Sequence, residues 1–260
     1  MGTLVAALVV GQAAPYMIAW VGGTDWRLSL IIGSALTFAG AITILLAPLG
    51  AHHDQATSFR TRAILLAWTD RSIRAAILGY LGHMWEFIAF WAWVGTATAV
   101  SFAAHMEPDA AQSLGKLAAF LCIIAATPAC YLTGIVADRI GKEKVAAGAL
   151  CISGTAAVLS AFAFGGPVWL TLALIIIWGA AVVPDSPQSS AIVADNAPPE
   201  LAGSLLTFQA SLGFLLTALT TQVAPLIANG LGWPAVFLIL ALGPVFGLIS
   251  MRPLFRSGRQ

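Results

Sequence analysis

Polar side chains interrupt a long apolar stretch of this sequence at residues 79–93, GYLGHMWEFIAFWAW. His83 and Glu86 are three positions apart, and on a helix they share one face with Trp93. An imidazole and a carboxylate one helical turn apart have the chemistry to take up and release protons. These two side chains, with Tyr80 and Trp93 on the same segment, form the first candidate site.

A second polar group lies in VVPDSPQSS, residues 182–190. Asp185 and Gln188 are three positions apart and offer a carboxylate and an amide to one side of a helix. Pro184 and Pro187 each lack a backbone N–H and therefore interrupt the helical hydrogen bonds. Backbone groups freed in this way need a cavity or polar neighbours. The sequence thus predicts a broken helix whose polar residues line a binding cavity.

The segments that position these groups are strongly apolar. Hydrophobic residues make up 59% of the 260 positions and charged residues only 9%, which is more apolar surface than a soluble domain can bury. About 20 consecutive apolar residues cross a bilayer as one helix. Candidate stretches occur at 3–21, 28–48, 76–103, 113–137, 145–164, 168–193, 201–228 and 233–251. The predicted fold class is an all-α, polytopic membrane bundle of about eight transmembrane helices.

Ionisable groups inside membrane helices are costly, so functional roles for His83, Glu86 and Asp185 are the leading interpretation. Glu86 follows Arg74 by 12 residues, which places it about 18 Å into the bilayer, near the midplane. Structural roles are the alternative. In that case Glu86 bonds to His83 or to a hydroxyl group on a neighbouring helix, and Asp185 caps a helix break.

Residues 49–75 form a long polar segment between two groups of apolar stretches. Within it, Phe59, Ile64, Leu65 and Trp68 recur at near-helical spacing. This pattern predicts a short amphipathic helix that lies on the membrane surface and joins two bundles. A disordered linker is the alternative interpretation.

The distribution of lysine and arginine predicts the orientation in the membrane. If residue 1 is cytoplasmic, ten of the 12 cations fall in inside loops, namely Arg60, Arg62, Arg71, Arg74, Arg139, Lys142, Lys144, Arg252, Arg256 and Arg259. Arg27 and Lys116 fall in outside loops or at their margins. Because cytoplasmic loops are enriched in positive charge, both termini are expected to face the cytoplasm.

Many of the few charges of the chain are concentrated in one loop, GIVADRIGKEK at 134–144. A glycine at its start allows two helices to approach closely, and a second glycine permits a tight turn. The acidic residue can stabilise a neighbouring helix N-terminus, while the cations keep the loop in water. The residues that carry this pattern are Gly134, Asp138, Arg139, Gly141 and Lys142.

This loop resembles the signature of the major facilitator superfamily, a family of secondary transporters in which it lies between helices two and three and again between helices eight and nine. The resemblance implies that Asp138 and Arg139 latch the cytoplasmic side in one state of the transport cycle. It also implies that 1–48 is the remnant of the N-terminal half, 49–75 the cytoplasmic linker, and 76–260 the complete C-terminal half. Helices one to four of the family have no counterpart in this chain.

The function expected from the resemblance is transport of a small solute by alternating access, with a carboxylate such as Glu86 exchanging a proton. The expected location is the plasma membrane, specifically the inner membrane of a bacterium. A non-transporting membrane fragment of a disrupted transporter gene is the alternative. The span at 113–137 contains no arginine, which disfavours a nitrate-like anion as cargo.

Other function classes lack support in the sequence. An intramembrane enzyme is not indicated, because no second histidine accompanies His83 and Glu86 in the membrane and no pair of residues suggests a nucleophile. The three cysteines have no metal-ligand spacing, so we expect neither a metal nor a cofactor. A net charge of +1 gives no basic surface for nucleic acid. The expected partners are the small-molecule substrate, protons and the lipid bilayer.

Overall fold

The computed structural model describes residues 2–21, 26–46 and 58–257, with side chains as far as Phe255. These residues form eleven α-helices and no β-strand. The first six are α1 (Gly2–Val21), α2 (Trp26–Leu46), α3 (Arg62–Thr69), α4 (Arg71–Phe102), α5 (Pro108–Ile140) and α6 (Lys142–Phe162). The others are α7 (Val168–Val182), α8 (Asp185–Asn196), α9 (Pro199–Leu231), α10 (Trp233–Leu240) and α11 (Leu242–Ser257).

Within the described residues, seven helical segments have the length and composition to cross a membrane. Five of them are single helices, α1, α2, α5, α6 and α9. The other two, Val168–Asn196 and Trp233–Phe255, each consist of two consecutive helices, α7 with α8 and α10 with α11. The chain is therefore an all-helical, polytopic membrane protein, as the sequence predicts.

One of the eight expected spans, 76–103, falls on α4, which is not among the seven apolar segments. Its 32 residues give a length of about 48 Å, enough to cross a bilayer. Its hydropathy is lowered by His83 and Glu86, the same polar residues that make it a candidate site. It lies at the centre of the bundle, where it contacts α5, α7, α8, α9 and α11.

Small residues allow the central helices to approach at backbone distance. A Cβ atom added at Gly82 of α4 would lie 2.5 Å from the carbonyl oxygen of Gly243 on α11. One added at Gly179 of α7 would lie 2.1 Å from the carbonyl oxygen of Cys122 on α5. Both distances are far below van der Waals contact. Glycine at these positions therefore fixes how α4 and α7 pack against their neighbours.

Helix α1 packs along α5, and we call this contact the α1–α5 seam. Its buried side chains on α1 are small, namely Ala6, Val9 and Ala13. Those on α5 include Ala119, Cys122, Ile123, Ala126 and Cys130. The helices run in opposite directions, so Gly2 at the start of α1 lies against Cys130 in the second half of α5. Helix α2, by contrast, has no buried residue in the described structure.

Helix α3 lies in the segment expected to join two bundles, and residues 49–57 of that segment lie outside the described residues. Ala63 and Ala67 are buried against the bundle, whereas the larger Leu65 and Trp68 are exposed. Asp70 ends α3 and begins α4, because its side chain accepts hydrogen bonds from the backbone N–H groups of the first turn of α4. This arrangement leaves the large apolar side chains of α3 available to a membrane surface.

Candidate functional site

Glu86 is completely buried at the contact of three helices. Its carboxylate accepts a hydrogen bond from the hydroxyl of Ser153 on α6 at 3.1 Å. It also accepts one from the indole Nε1–H of Trp178 on α7. These two hydrogen bonds, from two other helices, offset much of the free-energy cost of removing the carboxylate from water. Glu86 thus connects α4 to α6 and α7.

His83 lies one turn before Glu86 on α4 but has a different partner. Its Nδ1 atom is 2.8 Å from Oδ1 of Asp185, in the first turn of α8. Both residues are about 1% exposed. Although the two atoms are close, they do not meet in hydrogen-bond geometry, and His83 Nε2 and Asp185 Oδ2 also lack hydrogen-bond partners among the described residues. The His83–Asp185 pair is therefore buried like Glu86 but has fewer hydrogen bonds to replace those it would make with water.

Aromatic rings surround His83. The ring of Phe87 stacks on the imidazole with centroids 4.9 Å apart, and the ring of Tyr80 lies 5.8 Å away on the other side. Trp93, the remaining aromatic candidate, lies about 15 Å further along α4. Its indole N–H donates to the carbonyl oxygen of Thr221 on α9 at 2.9 Å. The structure therefore brings Tyr80 to the His83–Asp185 pair and places Trp93 elsewhere.

A cavity of about 350 Å³ opens at the end of the α1–α5 seam where α1 begins, and we call it the Asp138 cavity. Its lining residues are Gly2, Thr3, Tyr131, Gly134, Ile135, Asp138, Lys142, Pro187, Gln188 and Ala191. Gln188 is one helical turn after Asp185 on α8. The cavity thus lies between residues of the segment 134–144 and α8, the polar helix that carries Asp185.

Within the loop, Lys142 forms an ion pair with Asp195, close to the end of α8. Gly141 has a φ of 100°, a backbone conformation that residues with a side chain rarely adopt. Asp138 and Arg139 are exposed at the end of α5. The loop is therefore connected to α8 through Lys142, a contact that sequence spacing alone did not reveal.

A second cavity, of about 670 Å³, lies at the opposite end of the α1–α5 seam, and we call it the Lys116 cavity. It is lined by Tyr16, Ala19, Ala92, Gly95, Thr96, Ala99, Val100, Ala103, Pro108, Asp109, Gln112 and Lys116. Its polar side chains were not among the sequence candidates. Asp109, Gln112 and Lys116 are spaced at i, i+3 and i+7, a one-sided helical pattern that was visible in the sequence.

Sequence analysis offered a hydroxyl group on a neighbouring helix as a partner of Glu86, which Ser153 provides, but identified neither Ser153 nor Trp178 as the donor. Ser153 and Trp178 are 67 and 92 positions away along the chain. The indole N–H of Trp178 points to Glu86. Among the described residues, no three histidine, cysteine, aspartate or glutamate side chains are grouped in a way that could hold a metal ion.

Comparison with known proteins gives one informative match. No protein-family model matches the chain. Over 175 residues the chain is 27% identical to NiaP of Bacillus subtilis (strain 168), a protein named for niacin/nicotinamide transport. The match covers 66% of this chain and 42% of NiaP, so the chain corresponds to less than half the length of that relative. The chain is a multi-span membrane protein with similarity to a transporter.

Proposed function

We propose that this chain belongs to a secondary transporter of the major facilitator type and moves a small solute by alternating access. The observation that carries the proposal is the pair of cavities at opposite ends of the α1–α5 seam. About 27 Å of helix separates Lys116 from Gly134, and the packed side chains between them are small and apolar. A rocking motion of α1 against α5 would open one cavity as it closes the other.

The proposed assignment of the chain is the one that the loop resemblance implies. Helices α1 and α2 correspond to helices five and six of the family, and α4 to α11 correspond to its C-terminal half. In this assignment residues 134–144 are the loop between helices eight and nine, and residues 49–75 are the linker between the halves. The positive charges of these two segments favour a cytoplasmic location for them, so the Asp138 cavity would open to the cytoplasm of a bacterial cell.

Proton coupling is proposed at the His83–Asp185 pair. The pair is buried, its atoms are poorly hydrogen bonded, and Asp185 lies one turn from Gln188 in the Asp138 cavity. Water that enters this cavity would reach Asp185 first and stabilise its charged form. Closure of the cavity would favour the neutral pair. Glu86 anchors α4 in this proposal, through its bonds to Ser153 and Trp178.

The relative suggests nicotinate and nicotinamide as the first solutes to test. In proteoliposomes that contain the purified chain, we expect a proton gradient to drive accumulation of one of these labelled solutes. Asp185→Asn should abolish accumulation and retain exchange of external for internal solute. Ser160→Ala is the matched control, because Ser160 is buried and its hydroxyl has no hydrogen-bond partner in the described structure. Unchanged accumulation by Asp185→Asn would refute coupling at this pair.

A second candidate function is binding of a solute without transport, by a membrane fragment. Gln12, near the middle of α1, is exposed in the described structure, and an amide that faces lipid is unfavourable. Further helices would cover it in a complete transporter. Saturable binding of solute, with no flux in the proteoliposome assay, would favour this second candidate.

A further inference from the structure

The short helix α3 has two faces of different chemistry. Its small side chains Ala63 and Ala67 are buried against the bundle. Ile64, Leu65 and Trp68 lie within about 100° of one another on the other side of the helix and are exposed, Leu65 by 66%. Three large apolar side chains exposed on a helix of eight residues are unfavourable in water. This face therefore requires an apolar partner.

Arginines stand at both ends of the apolar face. Arg62 begins α3 and Arg71 begins α4, and both side chains are exposed. Neither guanidinium has an ion-pair partner among the described residues. The one acidic residue of 58–74 is Asp70, and its carboxylate accepts two backbone N–H groups at the start of α4. The apolar face is thus flanked by positive charge. We call this set of residues the α3 surface, namely Arg62, Ile64, Leu65, Trp68 and Arg71.

Hydrogen bonds hold α3 in place on the bundle. The backbone N–H of Arg60 donates to the hydroxyl of Ser204 on α9 at 3.0 Å. The guanidinium of Arg74 on α4 donates to the carbonyl oxygen of Trp68 at 2.7 Å. Glu200 lies one turn before Ser204 and is exposed, so an acidic group is near Arg60 and this arginine is left out of the α3 surface. The charges and the apolar side chains of the surface are therefore arranged by the fold itself.

We propose that the α3 surface binds anionic phospholipids, with headgroup phosphates at Arg62 and Arg71 and acyl chains along Leu65 and Trp68. A guanidinium presents a planar set of N–H donors that matches the oxygens of a phosphate. Acyl chains cover the apolar face that water would leave exposed. A zwitterionic lipid carries an ammonium group that offsets its phosphate, so the net charge of the surface favours an anionic lipid. The inference goes beyond the proposed transport function and does not depend on it.

The position of α3 in the chain favours a lipid over a soluble anion. Asp70 connects α3 directly to α4, which enters the bundle, so α3 lies at the end of a span where headgroups are found. A soluble anion would use the two arginines and leave Ile64, Leu65 and Trp68 exposed. A lipid engages both the charges and the apolar face.

Lipid enrichment around α3 is measurable by fluorescence quenching. Thr69 is exposed at the end of α3 and outside the α3 surface, so Thr69→Cys places a thiol there for labelling with bimane. Cys151, the exposed native cysteine, is replaced by serine, and Cys122 and Cys130 are buried. The labelled full chain is reconstituted in phosphatidylcholine vesicles with an equal, small fraction of spin-labelled phosphatidylglycerol or spin-labelled phosphatidylcholine. The ratio of the two quenching efficiencies gives the lipid preference, and a Cys151→Ser protein with Thr69 intact gives the background.

We expect phosphatidylglycerol to quench more strongly than phosphatidylcholine. Arg62→Gln and Arg71→Gln should each lower this preference about fivefold, and added salt should weaken it. Arg62→Lys should retain most of it, because the charge remains. Lys144→Gln is the matched control, since Lys144 is an exposed cation at the start of α6, outside the α3 surface, and its loop is expected on the same side of the membrane.

Three results would overturn the proposal. The first is equal quenching by the two lipids, and the second is a preference that neither arginine substitution changes. The third is absence of quenching by either lipid, which would show that protein covers the α3 surface. Loss of the preference with inorganic phosphate, but not with chloride at the same ionic strength, would assign the arginines to a soluble anion and would also refute lipid binding. Solute accumulation is measured separately, so none of these results decides the transport proposal.

Discussion

Glu86 and Asp185 are two buried carboxylates in the same bundle, and their surroundings are opposite. Glu86 accepts hydrogen bonds from Ser153 and Trp178, which lie on two different helices. Asp185 has one close partner, His83, and the contact lacks hydrogen-bond geometry. The first carboxylate is held by two hydrogen bonds, whereas the second has one close contact, with a histidine. The contrast supports the proposed roles, in which Glu86 anchors α4 and the His83–Asp185 pair takes part in proton coupling.

The largest expected effect is on stability, at Glu86. Glu86→Ala leaves the Trp178 N–H and the Ser153 hydroxyl without an acceptor and opens a small cavity. We expect the free energy of unfolding to fall by about 3 kcal/mol or more. Thermal unfolding in detergent measures the change. A loss similar to that of Asp185→Ala would remove the distinction between the two carboxylates.

The neutral, equal-sized substitutions Glu86→Gln and Asp185→Asn sharpen the comparison. Glu86→Gln keeps an acceptor for the Trp178 N–H, and its NH₂ group meets the Ser153 hydroxyl, which can accept as well as donate. One hydrogen bond is reversed, and we expect a loss of about 1–2 kcal/mol. Asp185→Asn should cost less than about 1 kcal/mol, because the Asp185 carboxylate makes no hydrogen bond that the substitution would remove. Unfolding of both variants at the same pH tests the order. The reverse order would assign the structural role to Asp185.

Trp178→Phe tests the donor side of the Glu86 site. Phenylalanine keeps an aromatic ring against Phe90, whose centroid is 3.8 Å from that of Trp178, and removes the N–H that Glu86 accepts. We expect destabilisation by about 1–2 kcal/mol. The double variant with Glu86→Gln should lose less than the sum of the two single losses. Additive losses would show that the two side chains do not interact.

Among the residues of the Glu86 site, the smallest predicted effect is at Ser153. Ser153→Ala removes one donor to Glu86 and leaves the Trp178 bond, so we expect a loss of about 1 kcal/mol. Ser160→Ala, seven positions further along α6, should be close to neutral, because this buried hydroxyl has no hydrogen-bond partner in the described residues. Equal effects of the two substitutions, measured by thermal unfolding, would contradict the assigned bond.

Much of the fold could be predicted from hydropathy, because a bilayer requires helices of a set length. The break before α8 was also predictable, since Pro184 lacks a backbone N–H at that point. The break between α10 and α11 was not predicted from hydropathy, although Gly243 and Pro244 mark it in the sequence, since Pro244 has no N–H to donate to the carbonyl oxygen of Leu240. Hydropathy thus finds a span but not an interruption inside it.

Sequence analysis named the polar residues inside the helices but not the contacts that they make. His83 and Glu86 were identified together by their spacing on α4. In the structure, His83 contacts α8, whereas Glu86 contacts α6 and α7. These partners follow from how α4 packs among its neighbours, which no local spacing specifies. The Lys116 cavity was missed because its two walls come from helices whose alignment depends on the contact between Gly95 and Gly115.

The short helix α8 has mechanical consequences. It is anchored at one end by Asp185 to His83 and at the other by Asp195 to Lys142, and the chain is interrupted just before it. Ten residues of helix make an arm of about 15 Å. A tilt of about 10° around the interruption would displace the far end by about 2.6 Å, more than an ion pair tolerates. Under such a tilt the Asp195 end of α8 moves most and Asp185 stays near the pivot, whereas Gln188, three residues from Asp185, moves by less than about 1 Å.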